Sequence, residues 1–294
     1  MFERFQIIPG ALMRDYTTLK LGGPADWLAL PASGEEVAAM LAEARDNGIP
    51  VTILGHGSNI LVLDGGIRGL VIRMGRGMNR IEAEGRTITA QAGAMMSAVA
   101  SAAADAGLTG LEFASGIPGT VGGGVIMNAG AYGGEMSQVV RRVTGVMPDG
   151  SFVEMTGADL GFGYRKSAMQ ANGITVTRVV FEMQEGNPEK IRAKMAELNR
   201  RRAESQPLDV PSAGSTFKRP EGAYAAALID QCGLKGYAIG GAKVSPKHAG
   251  FLINTGDSAK DYLELVRTVQ RIVEERTGIR LEPEIRITGE EEAE

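Results

Sequence analysis

Two short stretches hold residues whose types and spacing suggest chemistry: Gly55-His56-Gly57-Ser58-Asn59 and the run from Ser115 to Gly124. In the first, alternating glycines follow a buried-strand pattern at Val51–Leu54 and leave backbone N–H groups unobstructed. Such a nest holds a diphosphate without any cationic side chain, and Ser58 and Asn59 add further donors. A tight turn between strands accounts for the same residues equally well. The loop is not the Rossmann fingerprint, because the third glycine of Gly-x-Gly-x-x-Gly falls on Ile60 and a strand follows where a helix should. The second stretch, Ser115-Gly116-Ile117-Pro118-Gly119-Thr120-Val121-Gly122-Gly123-Gly124, presents a backbone almost without side-chain bulk. A flat cofactor can lie on it, with Asn128 of Asn128-Ala129-Gly130-Ala131 fixing a polar edge. The competing explanation is close strand packing at a domain junction. Two such loops together favour an extended dinucleotide held by two small subdomains.

The bulk properties narrow the class. A chain of 294 residues supports two or three units with real cores, and its net charge of -4 without a long basic run argues against nucleic acid. The arginine triplet Arg200–Arg202 sits inside a helical pattern. One cysteine, Cys232, allows no intrachain disulfide and fits a reducing compartment, and two distant histidines, His56 and His248, make a zinc site improbable. The first ten residues lack the apolar core of a secretory signal, and no stretch has the length of a membrane span, so a cytoplasmic location is expected. The 41 glycines are the compositional oddity, since glycine marks tight turns and close approach of backbone to ligand.

These loops need elements to hold them. Ser33–Gly48 reads as a helix, with Ser33 and Glu36 as a capping box and Val37, Met40, Leu41 and Ala44 on one face. Ile60–Leu63 and Leu70–Met74 read as strands around an Asp64-Gly65-Gly66 turn. Thr87–Gln91 is a strand, Met96–Ala106 a helix of small residues, and Val139–Met147 with Phe152–Met155 a hairpin around Pro148-Asp149-Gly150. Another strand covers Ile174–Met183. Asn187-Pro188 caps a helix running to about Glu204. Helices follow at Tyr224–Cys232 and Ser258–Thr277, the latter with Ser258 and Asp261 as a capping box. Leu281–Ile287 closes as a strand, and Glu290–Glu294 is expected as a solvated tail. The units divide at residues 1–77, 78–186 and 187–294.

The combination resembles the UDP-N-acetylenolpyruvoylglucosamine reductases, or UDP-N-acetylmuramate dehydrogenases, of peptidoglycan synthesis. The resemblance is carried by Thr17–Ala25, Leu54–Asn59, Gly116–Gly123, Gly163-Tyr164-Arg165-Lys166-Ser167, Ser212–Pro220, Gly240-Gly241-Ala242, His248–Asn254 and Leu281–Arg286, in that order along nearly the whole chain. It implies an α+β fold: two small α+β subdomains forming an FAD-binding module of the vanillyl-alcohol-oxidase/PCMH type, plus a C-terminal α+β substrate-binding domain. It implies non-covalent FAD, NADPH as electron donor and the enolpyruvyl sugar nucleotide as substrate; a monomer is expected, although the sequence itself does not reveal the oligomeric state. The cofactor contacts implied are Leu54, Gly55, His56, Gly57, Ser58, Asn59, Ile60, Ser115, Gly116, Pro118, Gly119, Thr120, Gly122, Gly123, Asn128, Gly130 and Ala131.

The implied reaction adds hydride to a vinyl carbon and a proton to the carbon beside a carboxylate, so charge builds on that carboxylate. By resemblance, Arg165 is the cation that meets it, because guanidinium stays charged and matches a carboxylate at two points. Glu284 is the partner acid, with Glu282 close by in sequence. Ser215 is the proton donor, a role open to a hydroxyl only when positioning is tight. Seen in isolation these residues read as a surface arginine, a solvated strand end and a turn serine. Tyr164, Lys218 and Arg219 are the implied nucleotide contacts. Ser205 stands where members commonly carry a phosphate-contacting lysine. The short Ala168–Gly173 connection lacks an inserted tyrosine loop, which points to the type II subclass. The alternatives are an FAD-dependent oxidase or dehydrogenase of another small alcohol, with His56 as an attachment point, and a nucleotide-binding protein without catalysis.

Overall fold

Helix α1, Gly34–Asp46, shows how local sequence sets the elements of this computed structural model, which describes residues 2–292. The Ser33 hydroxyl accepts from Glu36 N at 3.2 Å. The Glu36 carboxylate reaches one residue past Ser33 and accepts from Ala32 N at 2.8 Å, so the capping box is shifted by one position. Val37, Met40, Leu41 and Ala44 are buried, as their spacing requires.

The chain divides into two units by internal packing. The first comprises Met1–Pro9, Trp27–His56 and Gly69–Arg202, and the second Gly10–Asp26, Gly57–Arg68 and Ala203–Glu294. The division passes between His56 and Gly57, inside the first glycine loop.

The first unit is built on a 5-stranded antiparallel sheet in the order Phe152–Thr156, Val140–Val146, Thr175–Glu182, Thr87–Gln91, Ile81–Glu84. Thr175–Glu182 is central and mostly buried, which suits its run of β-branched and aromatic residues. The expected hairpin around Asp149 is present. Helices α2 (Met96–Asp105) and α3 (Val121–Ile126) pack on this sheet, α4 is a single turn at Ala168–Ala171, and α5 covers Pro188–Ser205. Asn187 Oδ1 accepts from Lys190 N at 3.0 Å and so caps α5.

The turn at Asp64-Gly65-Gly66 does not join a hairpin. Ile60–Val62 pairs in parallel with Arg286–Thr288, while Leu70–Arg73 pairs in parallel with Val51–Leu54. Asp64 serves another purpose in the second unit: its carboxylate accepts from Ala259 N and Lys260 N at 2.9 and 3.0 Å, capping α7 (Ala259–Thr277). Only half of the Ser258/Asp261 box forms, because Asp261 accepts from Gly241 N at 2.9 Å instead.

The second unit contains an antiparallel sheet in the order Ser212–Ser215, Phe251–Asn254, Ala242–Val244, Ala238–Ile239, covered by α6 (Ala225–Gln231) and α7. Tyr262, Val266, Val269 and Val273 of α7 are buried on one stripe. The Tyr262 hydroxyl donates to Leu252 O at 3.1 Å, and burial raises its pKa. The closing strand is shorter than its sequence pattern: residues 281–285 carry a single bridge, Phe217 to Pro283, before the regular strand Arg286–Thr288. Glu290 is not free tail, since it exchanges backbone bonds with Gly65 and Gly66 at 2.9 Å. Ala293 and Glu294 lie outside the described residues.

Candidate active site

The two glycine stretches use their backbone differently. In the first, Leu54 ends its strand buried and Ile60 begins the next one buried. Gly57 takes φ +70, and a Cβ there would run into Tyr16 O and lie 2.8 Å from Thr17 Cα, so only glycine serves. Among the described residues, the N–H groups of Gly57 and Ser58 meet no protein acceptor, which leaves them available to an anion. A Cβ on Gly55 would collide with Thr120 Oγ1.

In the second stretch the N–H groups are mostly committed. Those of Ile117, Gly119, Val121 and Gly122 donate to Ala114 O, Ile117 O, Ala94 O and Ala92 O at 2.8–3.1 Å. Gly122 and Gly124 are packing glycines, with Ala92 Cβ 3.0 Å and Met96 Sδ 2.8 Å from the place a Cβ would take. Gly123 and Pro118 are exposed, and a Cβ on Gly123 would meet only Thr120 Oγ1 at 3.7 Å. This is a low-profile backbone in which, among the described residues, the N–H groups of Gly116, Thr120 and Gly123 meet no protein acceptor. Gly130 and Ala131 pair with Glu135 and Gly134 in a short hairpin.

Asn128 is 1% exposed and both ends of its side chain are used within the protein. Oδ1 accepts from Ser137 N at 2.9 Å and Nδ2 donates to Gly163 O at 3.1 Å. That second bond holds a tight hairpin in which Gly163 and Lys166 exchange both backbone bonds at 3.1 Å, with Tyr164 and Arg165 at the tip. The Ser167 hydroxyl donates to Ile126 O at 2.8 Å and anchors the other side. Arg165 sits at φ +55, at the turn position that glycine or asparagine normally fills. Its guanidinium stacks on the Tyr164 ring at 5.1 Å. Left-handed backbone on a long side chain is strain of the kind found at functional sites.

In the second unit, Ser215 and Glu284 are brought together. Glu284 N donates to Thr216 O at 2.8 Å, and Lys218 N to Glu282 O at 2.8 Å, so the two segments run alongside one another. Between Ser212 and Ser215 the pairing with Phe251–Ile253 slips by one residue at Ala213-Gly214, and Ser215 faces out, exposed. Asn59 Nδ2 donates to Glu284 O at 3.2 Å and Arg286 N to Asn59 O at 3.0 Å, which sets Glu284 beside the first glycine loop. Glu282 and Glu284 are now distinguishable: Glu282 is exposed and ion-paired to Lys218, while Glu284 is half-buried. The Arg219 guanidinium lies 4.0 Å from the Tyr224 ring.

Two side chains beside the second stretch are absent from the sequence-based set. Asn199 Oδ1 lies 3.2 Å from the Ser115 hydroxyl, and Arg202 packs on Gly116. The signal for Arg202 was present: Ile191, Met195, Leu198 and Arg202 share one face of α5.

Comparison with known proteins places this geometry. Residues 25–156 match the FAD binding domain family, and residues 206–288 the C-terminal domain of UDP-N-acetylenolpyruvoylglucosamine reductase. The class is thus an FAD-dependent oxidoreductase. The chain is 48% identical to the UDP-N-acetylenolpyruvoylglucosamine reductase of Clostridium novyi over 99% of its own length and 95% of that protein. It is 49% identical to that of Caldanaerobacter subterraneus subsp. tengcongensis, over 95% and 92%. The crystal structure of UDP-N-acetylenolpyruvylglucosamine reductase from Thermus caldophilus superposes with a TM-score of 0.83 at 41% identity, covering 97% of this chain and 98% of that one. The chain belongs to the UDP-N-acetylenolpyruvoylglucosamine reductase family.

The residues present fit FAD. The first loop offers unsatisfied amides, the second an open backbone at Gly123, and Arg202 keeps a buried Nε without a partner among the described residues. No helix among the described residues is long and apolar enough to cross a membrane.

Proposed function

We propose that this chain reduces UDP-N-acetylglucosamine enolpyruvate to UDP-N-acetylmuramate with NADPH as donor, and that Ser215, Glu284 and Arg165 act on the enolpyruvyl group. FAD, when bound, supplies the carrier that accepts hydride from NADPH and passes it to the terminal vinyl carbon. NADPH becomes NADP⁺, the carbon–carbon double bond is lost, and one proton completes the lactyl ether. Arg165 holds the substrate carboxylate, where negative charge grows as hydride arrives. Glu284 is the partner acid that acts on the same developing charge. Ser215 delivers the proton to the carbon beside the carboxylate.

The observation that carries this reading is the pairing of the Ser215 and Glu284 segments beside Asn59, through Glu284 N to Thr216 O at 2.8 Å. Tyr164, Lys218 and Arg219 are the proposed nucleotide contacts, and Arg219 takes part in a cation–π stack at Tyr224. The chain passes from Ser167 to Thr175 through the one-turn helix α4, which supports the subclass without a tyrosine loop. A cytoplasmic monomer is the form we propose.

The test follows flavin reoxidation without oxygen after NADPH and the enolpyruvyl sugar nucleotide are mixed with FAD-loaded protein. Substrate-dependent reoxidation is expected, and Ser215→Ala should slow it by about 10²–10⁴-fold while reduction by NADPH keeps its rate. Equal loss of both half-reactions would make Ser215 structural. Absence of substrate-dependent reoxidation in the unaltered chain would sink the reading.

A further inference from the structure

Residues 17–21 form a fixed turn beside the first glycine loop. The Thr17 hydroxyl donates to Leu21 O at 2.9 Å, Lys20 N donates to Thr17 O at 3.3 Å, and Lys20 sits at φ +57. Leu19 is buried in the same apolar cluster as Leu61, Ala213 and Phe217. Its carbonyl accepts from Nδ2 of the buried Asn254 at 2.9 Å. The turn is thus anchored on both sides of Thr18, whose polar groups reach two other segments. Thr18 N donates to Gly57 O at 3.0 Å. Thr18 Oγ1 lies 2.7 Å from Ser212 O and 3.3 Å from Gly57 O. A hydroxyl has one proton, and the shorter contact takes it.

Each bond has a consequence. The Gly57–Ser58 peptide is trans, so its C=O and N–H point opposite ways. Thr18 N, holding the carbonyl on one side, aims the Ser58 N–H to the other, where it meets no protein acceptor among the described residues. That amide is one of the donors a diphosphate needs. Ser212 lies on the edge strand of its sheet, and its pairing with Ile253 is followed by the slip at Ala213-Gly214. A slipped edge strand has little in its own ladder to hold it. The bond to Ser212 O supplies a fixed point three positions before Ser215. Glu284 has a separate tether to the same loop, through Asn59. Resting on the reductase reading above, we propose that Thr18 is a positioning residue, whose hydroxyl places the Ser215 strand by reference to the loop that holds the cofactor diphosphate. Proton delivery to carbon by a weak acid depends on such placement.

The experiment uses the full chain with and without FAD, and two variants. Thr18→Val keeps the shape and the backbone N–H but loses the hydroxyl, and Thr18→Ser keeps the hydroxyl. Amide hydrogen exchange gives a readout independent of turnover. FAD should slow exchange across residues 212–216 by about tenfold in the unaltered chain and in Thr18→Ser, and should have no such effect in Thr18→Val. Thr18→Val should bind FAD within about threefold of the unaltered chain, because Gly57 O keeps its backbone donor. Saturated with FAD, it should be reduced by NADPH at full rate and reoxidised by the enolpyruvyl sugar nucleotide about tenfold more slowly, with Thr18→Ser restoring that rate. Absence of FAD-dependent protection at residues 212–216 in the unaltered chain overturns the proposal without any variant. So does protection that persists in Thr18→Val, or an equal fall in both half-reactions. Faster exchange with and without FAD, shared by both variants, would make Thr18 structural and overturn it as well. If the unaltered chain binds FAD but the sugar nucleotide does not reoxidise it, the reductase reading fails, and the exchange comparison still decides whether Thr18 couples loop to strand.

Discussion

The Ser215–Glu284 region and the Arg165 hairpin are held in place by different means. Ser215 and Glu284 sit on backbone segments stitched by main-chain bonds at Thr216, Lys218 and Asn59, with one pairing slip that turns Ser215 outward. Arg165 sits at a hairpin tip whose orientation depends on two side chains, Asn128 and Ser167, and whose own backbone is strained at φ +55. The first arrangement survives a change of side chain, because the ladder does not depend on which residue it carries. The second gives up local stability for position and is vulnerable to substitutions away from the reacting atoms.

Arg165→Gly is the largest test of this contrast. It should relieve the left-handed backbone and raise stability by about 0.5–1 kcal/mol, or ~1–4 °C in Tm. It should also cost roughly 10³-fold in the substrate half-reaction, as loss of a charge-stabilising donor does. Unchanged or lower stability, read by thermal melts, would show that the turn is not strained. Next comes the pair Glu284→Gln and Glu282→Gln. The first should slow flavin reoxidation by about 10²-fold at unchanged Tm. The second breaks an exposed ion pair with Lys218 and should change stability by less than about 1 kcal/mol, with little effect on rate. Similar kinetic losses in both would erase the distinction between the two carboxylates. A smaller kinetic effect than that of Glu284→Gln is expected from Asn128→Ala, which strips a buried partner from Gly163 O and Ser137 N. Stability should fall by about 1–3 kcal/mol and reoxidation by roughly tenfold, while reduction by NADPH holds its rate. Loss of both half-reactions in proportion would show that Asn128 serves the fold alone.

Much of this was legible where the signal is local. Ser33, Asn187 and Ser258 announce the helices they cap, because a cap needs only the next three residues. The glycine stretches were visible too, but not which glycines serve packing. Gly122 and Gly124 face Ala92 and Met96, contacts that no sequence spacing reveals. The Asp64-Gly65-Gly66 turn misled because a turn says that the chain reverses, not which strand it will join. The actual partner lies near the other end of the chain, and Asp64 was a cap for a helix far downstream. Ser215 and Glu284 carried no local mark at all, and only the ordered motifs of the family raised them. Arg202 is readable too, since its four-residue spacing from Leu198 sets it apart from the two exposed arginines before it.

The parallel pairing of Ile60–Val62 with Arg286–Thr288 also sets a timetable. Asn59 and its partner Glu284 are 225 residues apart, which a ribosome working at about 5–20 residues per second takes roughly 10–45 s to cover. Throughout that interval three apolar residues that end up buried, Ile60, Leu61 and Val62, emerge with no strand to join. The newborn chain thus carries an open, sticky edge until synthesis is nearly done, a window in which holding chaperones and protein concentration decide its yield.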